Sequence, residues 1–227
     1  MQVQISDGQM ILPDARLTIS AQNSNVWNPP PPPFPPLPGA QCIQNLAYFA
    51  RKALTQKPSV GLSPLLPHFI PLPEFQKKLE LNSLQKEILA IQPYLSNREA
   101  APFVSKLFNC LGAGAGLTPS GDDFVTGLLL ALNRWKDVLW DRDDLDRVNQ
   151  SVVEAAYRKT TTLSANLIEL ASLGEGDERI LKAIDWIMGG NTDESSIVND
   201  LLDWGSSSGV DVLAGFTAAI TITAASW

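Results

Sequence analysis

Twelve consecutive residues, Gly112-Ala-Gly-Ala-Gly-Leu-Thr-Pro-Ser-Gly-Asp-Asp123, gather glycines, hydroxyls and carboxylates in one short stretch. Alternating glycines let a loop bring its backbone amides close to a ligand. Ser120 and Asp123 have the spacing of a capping box at the start of an apolar helix. The unpaired amides and dipole of such a helix end favour phosphate or carboxylate. Asp122 and Asp123 also offer oxygen ligands to a hard cation. A Walker loop would need Gly-Lys-Ser/Thr and a dinucleotide fingerprint a preceding strand, and neither is present. The plain structural alternative is a tight loop with a helix cap.

The same grammar recurs downstream. Ser120-Gly-Asp-Asp-Phe-Val-Thr-Gly127 and Ser208-Gly-Val-Asp-Val-Leu-Ala-Gly215 both read Ser-Gly-x-Asp, two apolar residues, a small residue and Gly. Each is a helix start, with a Ser and an Asp three residues on. Gly127 and Gly215 then fall inside helices, where Gly costs roughly 1 kcal/mol relative to Ala. Close approach of two backbones compensates for that cost, so the two helices are expected to cross at these glycines and aim their N-termini at one pocket. A third motif, Arg158-Lys-Thr-Thr-Thr-Leu-Ser-Ala-Asn166, puts hydroxyls inside a helical segment, where they compete for backbone bonds and mark a break. Arg158 and Lys159 would supply the cationic side of an anion site.

The elements that must position these motifs follow from periodicity. Val3 to Ile5 and Met10 to Leu12 flank Asp7-Gly8, a hairpin signal, and Arg16 to Ser20 alternates again. Asn28 to Pro38 holds eight prolines and reads as an extended connector wrapping the surface. Helical spacing begins at Gln41 and recurs over Phe75 to Ile91, where Pro93 is expected to end the helix, and over Arg98 to Cys110. Gly121 to Trp135 is apolar nearly all round and belongs in the centre of a bundle. Leu145 to Leu173 reads as one long or broken helix stopped by Gly174. Arg179 to Met188, Ile197 to Trp204 and Gly209 to about Ala224 follow, with Gly205 as a stop. Trp135, Trp140 and Trp204 read as packing residues. The fold class is α+β, mainly α: a central helical bundle with a small N-terminal β appendage. Residues 1–38 form the β segment and Pro-rich connector, expected to pack on the rest, and residues 39–227 the helical domain carrying the site.

Composition narrows the chemistry. A formal charge of −7 over 227 residues, with no basic block, argues against nucleic acid. The start Met1-Gln2-Val3-Gln4 has no signal-peptide character, and Phe124 to Leu132 is too short to span a bilayer, so a cytoplasmic protein is expected. With two cysteines, Cys42 and Cys110, and one histidine, His68, neither a disulfide framework nor a His/Cys zinc site is supported. Catalysis must rest on carboxylates, hydroxyls, backbone amides, Lys and Arg.

Taken in order, Gly-x-Gly-x-Gly-Leu-Thr-Pro-Ser-Gly-Asp-Asp, Thr-Thr-x-x-Ser-Ala and Ser-Ser-Gly-x-Asp-x-Leu-Ala-Gly resemble the bacterial AllH family, closely over about 109–215. The N-terminal strands and Val26-Trp27-Asn28-Pro29 are similar to that family's N-terminal portion. The resemblance implies a component of a carbamoyltransferase in allantoin (purine) catabolism, handling carbamoyl phosphate and small anions such as oxamate or oxalurate. It also implies partner subunits, and self-association into a homo-oligomer is left open. Under it Gly112, Gly114, Gly116, Thr118, Ser120 and Gly121 would bind phosphate or carboxylate. Thr161, Thr162, Ser164, Ser207, Ser208 and Gly209 would complete that anion site. Asp122, Asp123 and Asp211 would be the catalytic carboxylates, positioning an amine or a metal, with Arg158 and Lys159 balancing charge. The Ser-x-Arg-Thr loop of ordinary carbamoyltransferases is absent, so any transfer here uses a different site design. Two alternatives stand beside this. One is a metal-dependent helical hydrolase resembling the ADP-ribosylglycohydrolases, with Mg2+ or Mn2+ on Asp122, Asp123 and Asp211. The other is a non-catalytic ligand-binding or scaffolding subunit.

Overall fold

A computed structural model describes residues 3–24, 28–75, 80–140, 143–190 and 194–223. Its backbone divides into two units, Met1–Pro30 and Pro31–Trp227.

The first unit is a three-stranded antiparallel sheet in the order β1 (Gln4–Ser6), β2 (Gln9–Leu12), β3 (Leu17–Ser20). Asp7 and Gly8, at φ 50° and 71°, make the two-residue turn whose twist matches the strands it joins. The register sets Ile5 opposite Met10 and Met10 opposite Ile19, so these three side chains share a face. Val26 and Trp27, two of the four residues read above as similar to a family's N-terminal portion, lie outside the described residues.

The second unit is helical throughout. Its helices are α1 (Gly39–Gln56), α2 (Leu66–Phe69), α3 (Ser83–Leu89), α4 (Gln92–Ser96), α5 (Ala100–Cys110), α6 (Ser120–Arg134), α7 (Lys136–Leu139), α8 (Leu145–Lys159), α9 (Thr162–Ser172), α10 (Glu178–Gly189), α11 (Glu194–Leu202) and α12 (Ser208–Thr223). The mainly helical architecture with a small N-terminal sheet agrees with the sequence. The stretch Phe75 to Ile91 does not in full: its helix is Ser83–Leu89, started by the Asn82–Gln85 capping box. Pro93 sits in the first turn of α4 instead of closing the preceding helix, because its missing N–H and fixed φ suit that position.

At the centre lie α6 and α12, every residue of which is buried from Gly121 to Leu132 and from Gly209 to Ile220. Each fully buried Phe or Leu there stabilises the fold by about 1.5–3 kcal/mol. The threonines of α12 disturb nothing, because their hydroxyls donate back to the helix: Thr217 to Leu213 O at 2.7 Å and Thr223 to Ala219 O at 2.7 Å. Around this pair, α9 packs on α6, α8 on α5 and α9, and α1 on α10 and α12. Trp135 and Trp140 are buried, and Trp204 packs against the core. The proline connector follows the end of α10: Leu37 N–H donates to Met188 O at 2.7 Å, and Pro33 fills the space beside Gly189.

Candidate functional site: two crossed helix starts

The two glycines do mark a crossing of α6 and α12, and the contacts are reciprocal. A Cβ added to Gly127 would stand 2.9 Å from Val212 C and Cα, and one added to Gly215 would stand 2.6 Å from Leu128 N, beside Phe124 O. Phe124 occupies in α6 the place of Val212 in α12, so each glycine admits the same turn of the other helix. The equivalence extends outward. Gly121 lies against the last carbonyl of α5, that of Cys110, and Gly209 against Leu201 O near the end of α11. Gly121 N–H donates to Ala113 O and Gly209 N–H to Trp204 O, both at 2.9 Å. Thus α5–loop–α6 and α11–loop–α12 are two copies of one motif, related as the halves of an isologous contact are related.

This crossing brings the helix starts together. The hydroxyls of Thr118 and Ser208 are 3.2 Å apart. The carboxyl of Asp123 lies near Ser208 and Thr118, and that of Asp211 near Ser120 and Ser207. Each acid therefore addresses the start of the other helix, and the capping box read from the sequence is not formed. Pro119 is the N-cap of α6 and gives no side-chain bond. Its carbonyl accepts the N–H groups of Asp122 and Asp123, which frees the Asp123 side chain to cross over.

Both acids are sealed from solvent, at 1% exposure for Asp123 and 0% for Asp211. Asp211 Oδ1 accepts the Leu62 N–H at 2.6 Å. The Oδ2 atoms of Asp123 and Asp211, and the neighbouring Ser63 Oγ on the Leu62 turn, are buried with no hydrogen-bond partner. Burial pushes the Asp123 carboxyl up to about 7, opposed by the Ser208 hydroxyl and reinforced by the Asp211 charge. Burial likewise raises Asp211 to about 6, opposed by the Leu62 amide and the Ser120 and Ser207 hydroxyls. Among the described residues no cationic side chain figures in the groups acting on either acid.

Asp122, 1% exposed, faces elsewhere. Its Oδ1 accepts Gly112 N–H at 2.7 Å and its Oδ2 the Thr160 hydroxyl, so it ties the Gly-rich loop to the α8–α9 break. That break falls at the predicted hydroxyl run. Thr161 caps α9 by accepting Ser164 N–H at 3.1 Å and donates to Leu117 O at 2.7 Å, and the Ser164 hydroxyl lies 3.3 Å from the same carbonyl. Thr162 is exposed. Lys159 does not reach the acids: its ammonium donates to Phe108 O at 2.6 Å. Arg158 is exposed. Gly112, Gly114 and Gly116 take φ of 74°, 131° and 94° in an exposed loop, and Gly114 lies over the Ser120 amide. The N–H groups of Gly114, Ala115 and Gly116 make no hydrogen bond to another described residue.

The structure thus separates what the sequence ran together: exposed loop amides, a tie at Asp122, and a buried acceptor pair, Asp123 and Asp211. Among the described residues no three His, Cys, Asp or Glu groups gather as a metal cluster. Sequence reasoning missed Gly61–Leu62 and Thr160. Gly61, at φ 52°, has Asp211 Cγ 2.8 Å from where its Cβ would be. The signal was available: Gly61-Leu-Ser-Pro64 repeats the Gly116-Leu-Thr-Pro119 pattern.

Among the described residues no helix is long and apolar enough to cross a membrane. Comparison with known proteins gives a match over residues 110–220 to the family described as oxamate carbamoyltransferase subunit AllH. No curated protein and no solved structure matches.

Proposed function

We propose, from the match of residues 110–220 to the family described as oxamate carbamoyltransferase subunit AllH, that the chain is a cytoplasmic carbamoyltransferase component. Its ligands are carbamoyl phosphate and an oxamate- or oxalurate-like small anion of allantoin catabolism. The observation that carries this reading is the meeting of two helix starts, Thr118 and Ser208 hydroxyls 3.2 Å apart, beside a loop with unengaged amides. In this reading the N–H groups of Gly114 to Gly116 and the hydroxyls of Thr118 and Ser208 receive the phosphate or carboxylate. Asp123 and Asp211 orient the nitrogen-bearing end. The rate gain comes from orientation and from stabilising the departing phosphate. Both acids are closed off, so substrate reaches them as the loop held at Leu117 O opens. Partner subunits complete the reaction, as the family's name as a subunit suggests.

A thermal-shift titration of the whole chain with carbamoyl phosphate, phosphate, oxamate and Mg2+ or Mn2+ tests this. A ligand at a hundred times its Kd adds about 2.7 kcal/mol of stability. Shifts with carbamoyl phosphate and oxamate that Asp123→Asn and Asp211→Asn lose are the expected result. A shift with metal alone moves the reading to the hydrolase. No shift with any of them overturns the proposal for the isolated chain and leaves a scaffolding subunit.

A further inference from the structure

At pH 8, above the range in which the buried acid pair gives up its protons, the unpartnered oxygens of Asp123 and Asp211 are both acceptors. We propose that Asp123 Oδ2 and Asp211 Oδ2 form a subsite for a primary amide or carbamoyl –NH2 group, and that this subsite selects amides over the carboxylates of the same shape. The inference rests on the carbamoyl-transfer reading and sharpens it.

Buried polar atoms are nearly always paired, so two orphaned carboxylate oxygens in one cluster call for a hydrogen-bond donor. One acid comes from each of the two crossed helices, and they are close enough for the Asp211 charge to act on the Asp123 carboxyl. An –NH2 group carries two N–H donors and no lone pair for hydrogen bonding in an amide, which matches two acceptors. A carboxylate in the same place brings oxygen against oxygen and negative charge against two buried acids, with no cationic side chain of the described residues acting on either of them. Asp122 takes no part, because both its oxygens are engaged by Gly112 N–H and the Thr160 hydroxyl. Asp211 is oriented by the Leu62 amide, which holds Oδ1 and leaves Oδ2 as its available acceptor. Sites that hydrogen-bond a substrate N–H reject analogues lacking it strongly, because their own buried groups are then left unpaired.

Isothermal titration of the whole chain at pH 8 tests this with two matched pairs. Oxamate and oxalate differ by –NH2 against –O−, and carbamoyl phosphate and acetyl phosphate differ by –NH2 against –CH3. The expected result is at least about tenfold tighter binding of the amide member in each pair. Asp123→Asn and Asp211→Asn, which keep shape and remove one acceptor each, should narrow both ratios to under about threefold. Binding of both members of each pair with equal affinity by the wild-type chain overturns this inference and leaves the carbamoyl-transfer reading standing. Binding of none of the four overturns both. The wild-type ratios decide the matter even if a variant fails to fold.

Discussion

Replacing Gly127 by Ala adds a single methyl at the point where two helix backbones touch, and its cost follows from the crossing. The new Cβ would stand 2.9 Å from Val212 C and Cα. Carbon atoms in contact prefer about 3.5–4.0 Å and Val212 O would stand closer still, so α6 and α12 must part by at least roughly 0.6–1 Å. The obstacle is helix backbone, which no rotamer change moves aside. Overpacking of this kind costs about 1–3 kcal/mol, and the upper end applies where nothing yields. Helix propensity works the other way, favouring Ala by about 0.8–1.0 kcal/mol. The net expectation is a loss of about 2 kcal/mol, or roughly 4–8 °C of melting temperature for a chain of this size. Gly215→Ala should behave alike, since its Cβ would meet Leu128 N at 2.6 Å. The double variant should lose less than the sum, because the first methyl has already separated the helices. Gly176→Ala is the control: its Cβ would meet only Leu130 Cδ2, at an ordinary 3.5 Å. Differential scanning calorimetry on the wild type and these four variants gives the answer. A Gly127→Ala protein melting at or above wild type would show propensity unopposed, and the backbone contact would be refuted.

Three further outcomes are expected. Asp123 at about 7 and Asp211 at about 6 stand above their ordinary 3.8, so the ligand-free folded state keeps protons that the unfolded chain has released. Its stability should therefore fall as pH rises from about 4 to about 7 and level off beyond, each pKa unit being worth about 1.4 kcal/mol. Urea titrations across that range check this, Asp123→Asn should be the more stable protein at pH 8, and stability rising with pH would contradict it. Arg134 donates to Asp185 at 2.6 and 2.5 Å with only 4% and 16% of the two side chains exposed, so Arg134→Met should cost about 3–5 kcal/mol in a urea midpoint. The exposed Lys182–Glu178 pair should matter by less than about 0.5 kcal/mol on the same measure. Thr160→Val removes the hydroxyl that Asp122 accepts and should cost about 1–3 kcal/mol while speeding exchange of the Gly112 amide, read by hydrogen-exchange mass spectrometry.

Much of this was legible in the sequence because it is local or repeated. Gly127 and Gly215 betrayed the crossing by sitting where a helix disfavours Gly, and the shared Ser-Gly-x-Asp pattern tied Asp123 to Asp211 without any coordinates. The hydroxyl run from Thr160 to Ser164 marked the α8–α9 break for the same local reason. What stayed hidden depends on where side chains turn after the backbone is set. Asp122 and Asp123 are neighbours in sequence, yet successive helix residues point about 100° apart, so one faces Thr160 and the other Ser208. The Leu62 amide meets Asp211 across 149 residues, a separation that no periodicity reports. Ser120 looked like a cap because spacing alone cannot say that Pro119 already fixes the helix entry.

The doubled motif has a consequence for how the site is divided. Symmetric dimers make such reciprocal contacts at their axis, where both halves are obliged to stay identical. Here both copies belong to one polypeptide, and that obligation is lifted. One copy enters its helix through Leu111–Pro119, with three glycines at positive φ, and the other through the shorter Asp203–Ser207 turn, tethered by Lys57, whose ammonium donates to Leu202 O and Ser206 O. A mutation in either turn changes one half alone. The architecture therefore lets the two entrances diverge in size and charge while the floor beneath them, set by two glycines and two acids, keeps its symmetry.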